Sequence, residues 1–338
     1  MELAVMSSVV GTLSGSATET PPFPWGHTPE EEYYASKNIT HQSEFTKFPR
    51  GVSLFTQSWV PSNRPPKALI LMVHGYGNDS SWVFQNTAIL FTEMGYAAFA
   101  LDLYGHGRSE GLLGYIPGVD NLVEDCAFYF NSVKNRAAYQ NLPRFLYGES
   151  LGGALCLLLH FENPTGYDGA ILMAPMCKIS EKMVPPWPVE YALRFIARWA
   201  PTLPVVPTTD LVDKSVKDPA KRILAKNNPH RYAGKPRLGT VIELLRVTAS
   251  LEEKLKDVSL PFIVLHGNAD VVTEPAVSTF LYETAKSEDK TLRIYEGMLH
   301  SLIQGEPDEN VAIILNDISS WLDERVQCKS PPEEDSAS

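Results

Sequence analysis

From Val52 onward the chain alternates short apolar runs with stretches whose apolar residues recur every three or four positions. Val52–Val60 (VSLFTQSWV) and Ala68–Gly75 (ALILMVHG) read as strands, the second a continuous apolar run of the kind buried on both faces. A helix is predicted near Val83–Met94, then the strand Tyr96–Asp102 and a helix around Val119–Lys134. Arg144–Ser150 reads as a strand, Leu151–Phe161 as a helix and Asp168–Pro175 as another strand. The rhythm then stops. Between Met176 and Ser250 prolines recur and no strand-helix alternation is visible over about 75 residues, whereas a parallel crossover needs only about a dozen. It resumes with the strand Pro261–Asp270, a helical Pro275–Ser287, the strand Thr291–His300 and a last helix near Asn310–Val326.

Repeated strand-helix units imply an α/β class with a mostly parallel central sheet and helices on both faces. The long interruption reads as an inserted cap. The expected division is a core in two parts, 31–175 and 251–326, with a cap or lid over 176–250. Residues 1–30 and 327–338 are polar or rich in Pro and Ser and are left without assigned structure.

Composition narrows the function classes. A net charge of -11 with no basic stripe argues against nucleic acid and weakens electrostatic docking on anionic membranes; apolar docking stays open. Cys126, Cys156, Cys177 and Cys328 show no C-x-x-C spacing, so neither a zinc site nor a disulfide framework is expected, and Cys156 reads as a small core residue. No Lys or Arg precedes Lys37, which argues against secretory and transit signals, and no apolar run reaches the length of about 18 residues that spans a bilayer. The expected location is the cytoplasm, with peripheral membrane contact through the cap left open.

Gly148-Glu149-Ser150-Leu151-Gly152 has the G-x-S-x-G pattern of a nucleophile elbow and falls between a predicted strand and a predicted helix. The plainer alternative is a serine that caps a helix. A serine hydroxyl needs a base, and in this arrangement an acid and then a histidine follow the nucleophile. Of the downstream histidines, His160 lies late on the helix that Ser150 begins, roughly 15 Å away at 1.5 Å per residue. His230 reads as a solvated loop residue of the insertion, and His266, followed by glycine, suits a turn. His300 ends a strand where open sheets place their sites and is assigned as base. Asp270, beyond the strand Phe262–Ala269, is assigned as acid ahead of Asp289, Glu296, Asp210 and Asp213. The oxyanion donors are expected to be the N–H of Leu151, directly after the nucleophile, and of Tyr76 in the loop His74-Gly75-Tyr76-Gly77. Asp102 and His106 precede the serine and read as a structural loop. His74 and Asp79 have an H-x4-D spacing found in some acyltransferases, taken here as a by-product of the oxyanion loop.

The stretches VHGYGNDSSW, GHGRSEG, GESLGG, HGNAD and YEGMLHSLIQGEPDEN stand in an order that resembles the plant monoacylglycerol lipase family of α/β-hydrolases. That family includes lysophospholipases and caffeoylshikimate esterase, and the resemblance runs from about Thr28 to Arg325. It implies the α/β-hydrolase fold, with Ser150 as nucleophile, Asp270 as acid, His300 as base and Tyr76 and Leu151 at the oxyanion hole. Members more often carry methionine after the nucleophile; a position acting through its backbone tolerates Leu151. No metal, cofactor or obligate protein partner is implied, only a small lipid or ester substrate.

In the insertion, Val189, Ala192, Leu193, Ile196 and Trp199 share one helical face, with Glu190, Arg194 and Arg198 on the other. Such a stripe roofs an acyl tunnel, touches lipid or packs on its own domain, and the last is the expectation. The first substrate reading is a monoacylglycerol, with lysophospholipids as a further class. The alternative is a phenylpropanoid ester such as caffeoylshikimate. A reading of another class is a non-catalytic receptor on a hydrolase scaffold, which predicts a damaged triad; here all three members are present.

Overall fold

The computed structural model describes residues 23, 25–178, 186–204 and 211–327. Helix α1 (Glu30–Ser36) leads into β1 (Ile39–Lys47) and β2 (Ser53–Pro61). Then come β3 (Leu69–Val73), α2 (Phe84–Glu93), β4 (Ala97–Leu101), α3 (Val119–Lys134), β5 (Arg144–Glu149), α4 (Leu151–Glu162) and β6 (Gly169–Met173). Four helices follow: α5 (Trp187–Ala197), α6 (Val212–Ser215), α7 (Pro219–Lys226) and α8 (Leu238–Lys254). The chain closes with β7 (Phe262–Gly267), α9 (Pro275–Thr284), β8 (Lys290–Tyr295), α10 (Leu302–Gly305) and α11 (Asp308–Gln327).

The sheet has eight strands in the order β1-β2-β4-β3-β5-β6-β7-β8. Pairing is parallel from β4 to β8 and antiparallel at β1–β2 and β2–β4. The two-residue period of β3 explains why its run is apolar throughout. Leu69, Leu71 and Val73 enter one core with α3, α4, α8 and α9, while Ile70 and Met72 enter the other with α2 and α11. This is the α/β-hydrolase architecture expected from the sequence.

Two elements escape the apolar pattern. Strand β1 is polar and mostly exposed (ITHQSEFTK) because it forms the outer edge of the sheet, where one neighbour and one covered face suffice. Trp25 and α1 lie at or before the expected start of the core, yet Trp25 stacks on Tyr33 with ring centroids 4.9 Å apart. Of the termini left without structure, residues 1–22 and 328–338, Cys328 among them, lie outside the described residues. Cys126, Cys156 and Cys177 are free and buried, and burial pushes all three thiols up.

Between β6 and β7 the described residues hold helices and no strand. Asp218 caps α7 by accepting from the N–H groups of Ala220 (2.8 Å) and Lys221 (3.0 Å). Helix α8 runs through residue 250, the expected boundary, and buries Val247 and Leu251 in the core shared with α3 and α4. Helix α5 behaves differently. No residue on it is buried, and the stripe expected to pack on its own domain leaves Val189 48%, Ile196 44% and the adjoining Trp199 82% exposed. No helix among the described residues is long and apolar enough to cross a membrane.

Candidate active site

Ser150 stands between β5 and α4 with φ 53 and ψ -114, a conformation that costs energy for a residue with a Cβ. The turn is tight enough to demand its glycines. A Cβ on Gly152 would meet the Val73 carbonyl oxygen at 2.1 Å, and one on Gly148 would meet that of Gly152 at 2.3 Å. The helix-capping alternative for Ser150 fails on geometry, since its side chain accepts no cap hydrogen bond.

Asp270 follows β7 and His300 follows β8, at the same carboxyl edge of the sheet as Ser150. His300 Nδ1–H donates to Asp270 Oδ2 at 2.6 Å, the tautomer in which Nε2 of a neutral ring carries no proton. Burial by itself raises the Asp270 carboxyl. Hydrogen bonds from His266 and then His300 outweigh it and hold the group well below the usual carboxylate range. Oδ1 accepts from the N–H groups of Val272 (2.7 Å) and Thr273 (3.1 Å), and the Thr273 hydroxyl donates to Oδ2 at 2.8 Å. The carboxylate therefore stays ionised and fixed.

The loop after β3 lies against the elbow, with a Cβ position on Gly75 only 3.5 Å from Ser150 Cβ. Among the described residues, the N–H groups of Tyr76 and Leu151 donate to no backbone acceptor. The Tyr76 hydroxyl is tied to the Gly114 carbonyl at 2.9 Å, and Asn78 Nδ2 reaches Gln304 Oε1 at 3.3 Å.

Residues 64–308 match the family model described as serine aminopeptidase, S33. The chain is 44% identical over 326 residues to caffeoylshikimate esterase of Arabidopsis thaliana, covering 95% of this chain and 98% of that protein. Monoglyceride lipase of Mus musculus is 30% identical over 82% of this chain and 88% of its own. The chain belongs to the monoglyceride lipase and caffeoylshikimate esterase family of α/β-hydrolases. The fold agrees with a soluble variant of monoglyceride lipase from Saccharomyces cerevisiae, solved with a substrate analog, at a TM-score of 0.73 and 20% identity. That match covers 84% of this chain and 95% of the other.

In this hydrolase His266 is no turn residue. It is fully buried, and because Asp270 Oδ2 (2.9 Å) and the Thr273 carbonyl (3.1 Å) are both acceptors, Nε2 carries the proton. Nδ1 then accepts from the Ser278 hydroxyl at 2.7 Å. The available signal was its place at the end of an apolar strand, four residues before Asp270. Glu149, the variable residue of the motif, was passed over too. Its half-buried carboxyl meets the Tyr147 hydroxyl and accepts from Gln304 Nε2 at 2.6 Å, which ties β5 to the helix just after His300. Desolvation pushes it up to about 7.

Asp102 and His106 share no hydrogen bond among the described residues, and the His106 ring packs on the Tyr76 ring with centroids 5.5 Å apart. Asp102 accepts from Ser80 N–H (2.6 Å), the Ser80 hydroxyl (2.5 Å) and Arg108 N–H (2.8 Å). Burial, with His74 adding to it, pushes His106 down to about 3.

Proposed function

We propose that this hydrolase cleaves a small carboxylic ester through Ser150, His300 and Asp270, with a phenylpropanoid ester of the caffeoylshikimate kind as its first substrate class. The 2.6 Å bond from His300 Nδ1–H to Asp270 Oδ2 carries the chemistry, because it sets the tautomer a general base needs. Ser150 Oγ attacks the ester carbonyl carbon as His300 Nε2 takes its proton. The Tyr76 and Leu151 N–H groups receive the oxyanion. His300 returns the proton to the departing alcohol. Water, deprotonated by the same nitrogen, then releases the acid and restores Ser150.

The substrate class rests on the 44% identity to caffeoylshikimate esterase over nearly the full length of both chains. This reverses the order read from the sequence, where monoacylglycerol came first. Monoacylglycerol hydrolysis is the second reading, supported by the 30% identity to monoglyceride lipase and by the exposed apolar face of α5, suited to a lipid surface. Residues 176–250 serve as the cap in both readings. Purified enzyme offered caffeoylshikimate and monoolein in parallel is expected to favour the first in kcat/KM, and Ser150→Ala is expected to abolish both. Preference for monoolein would restore the original order, and activity surviving in Ser150→Ala would remove the mechanism.

A further inference from the structure

The H-x4-D spacing of His74 and Asp79 is not a dyad. No hydrogen bond joins the two side chains among the described residues, and both are completely buried. His74 Nδ1–H donates to the Gly75 carbonyl at 2.8 Å, and Nε2 accepts from Leu103 N–H at 3.0 Å, so neither nitrogen is free. Asp79 turns the other way. Its Oδ1 accepts from Ser81 N–H at 2.8 Å, and its Oδ2 accepts from Asn228 Nδ2 at 2.5 Å.

Asn228 lies just after α7, 149 residues on in the chain, and is itself buried. Its Oδ1 accepts from His230 N–H at 2.9 Å, which fixes the amide's orientation. Four residues later, Tyr232 N–H donates to the Gly77 carbonyl at 2.8 Å. On the near side, Trp82 Nε1–H donates to the Leu224 carbonyl at 2.8 Å. The segment 224–232 is thus fastened at three points to the stretch that begins with the oxyanion loop. Tyr76, whose N–H donates to no backbone acceptor among the described residues, sits between the core-anchored His74 and the braced Gly77.

We infer that Asn228 is a positioning residue: by holding Asp79 it lets the inserted segment fix the loop that presents the Tyr76 N–H to the oxyanion. The inference rests on the proposed oxyanion hole. It turns an acyltransferase-like pattern into a mechanical brace and makes catalysis depend on a residue of the cap.

The test uses the full chain and a short-chain aryl ester. Active enzyme is counted by fluorophosphonate titration, and the inhibition constant of an alkyl trifluoromethyl ketone, which forms a tetrahedral adduct, is measured alongside. Asn228→Ala is expected to lower kcat per titrated site by about 10- to 100-fold, since small misplacements of reacting groups cost that much, with KM little changed. The ketone should weaken by the same factor. Asp79→Asn and Asn228→Asp are each expected to be impaired. Their combination should recover to within about threefold, because the Asp79→Asn amide keeps Oδ1 for Ser81 and donates Nδ2–H to the new carboxylate. An unchanged kcat per titrated site in Asn228→Ala, a ketone constant that stays put, or a double variant no better than the singles would overturn the inference. Turnover surviving in Ser150→Ala would instead remove the site reading, and the inference with it.

Discussion

Glu149→Gln is expected to stabilise the protein at neutral and alkaline pH and to do almost nothing near pH 4.5. The carboxyl is pushed from an ordinary value of 4.5 up to about 7, first by desolvation, so the folded state holds its proton more tightly than the unfolded chain. Below 4.5 both states are protonated and the group is neutral in the balance. As pH rises from 4.5 to 7 the unfolded chain ionises while the folded one resists, and wild-type stability falls across that window. A rise from 4.5 to about 7, at about 1.4 kcal/mol for each tenfold change in proton affinity, gives a loss on the order of 3 kcal/mol. A glutamine mimics the protonated acid: its oxygen accepts from Gln304 Nε2 and its amide donates to the Tyr147 oxygen. Urea unfolding of both proteins at half-unit steps from pH 4.5 to 8 should show a gap that opens through this window and is level above pH 7. A gap that is flat with pH, or that widens toward acid, would refute the placement of a desolvated, reluctantly ionised carboxyl at the elbow.

Asp270→Asn should fold and still lose about 10³- to 10⁴-fold in kcat on an aryl ester, because an amide facing His300 Nδ1 no longer fixes the tautomer; stopped assays with titrated enzyme check this. Gly152→Ala should lower stability by about 3 kcal/mol, read as a drop in Tm, since its Cβ would meet backbone at 2.1 Å and only a shift of α4 from β3 relieves it. Trp187 and Trp199 are 79% and 82% exposed, so Trp187→Ser with Trp199→Ser should cut cosedimentation with phosphatidylcholine vesicles by about tenfold and spare turnover of a water-soluble ester. A wild-type protein that ignores such vesicles would refute the lipid-facing role of α5.

The sheet could be read from the sequence because most of its strands are buried on both faces, which leaves unbroken apolar runs at β3, β6 and β7. The elbow could be read because its glycines answer to backbone contacts. Strand β1 could not, since an edge strand needs little apolar patterning and its identity lies in nine-residue pairing with β2. The hydrogen-bonded partners of the site were hidden for another reason. Periodicity reports burial and not hydrogen bonding, so it cannot show that His266 shares the oxygen of Asp270 used by His300, or that Asn228 reaches Asp79.

The same connectivity governs when the enzyme comes alive. The groups of its proposed site follow β3, β5, β7 and β8, and bonds such as Glu149–Gln304 and Asn78–Gln304 close over 155 and 226 residues. Such contacts are entropically late, because each waits for long stretches of chain to order first. A refolding or nascent chain that has collapsed around β3 to β6 already holds Ser150, the proposed nucleophile, but has neither His300 nor Asp270 in place. Regain of turnover must therefore trail the burial of tryptophan in a refolding experiment, and the lag measures the docking of the last two strands.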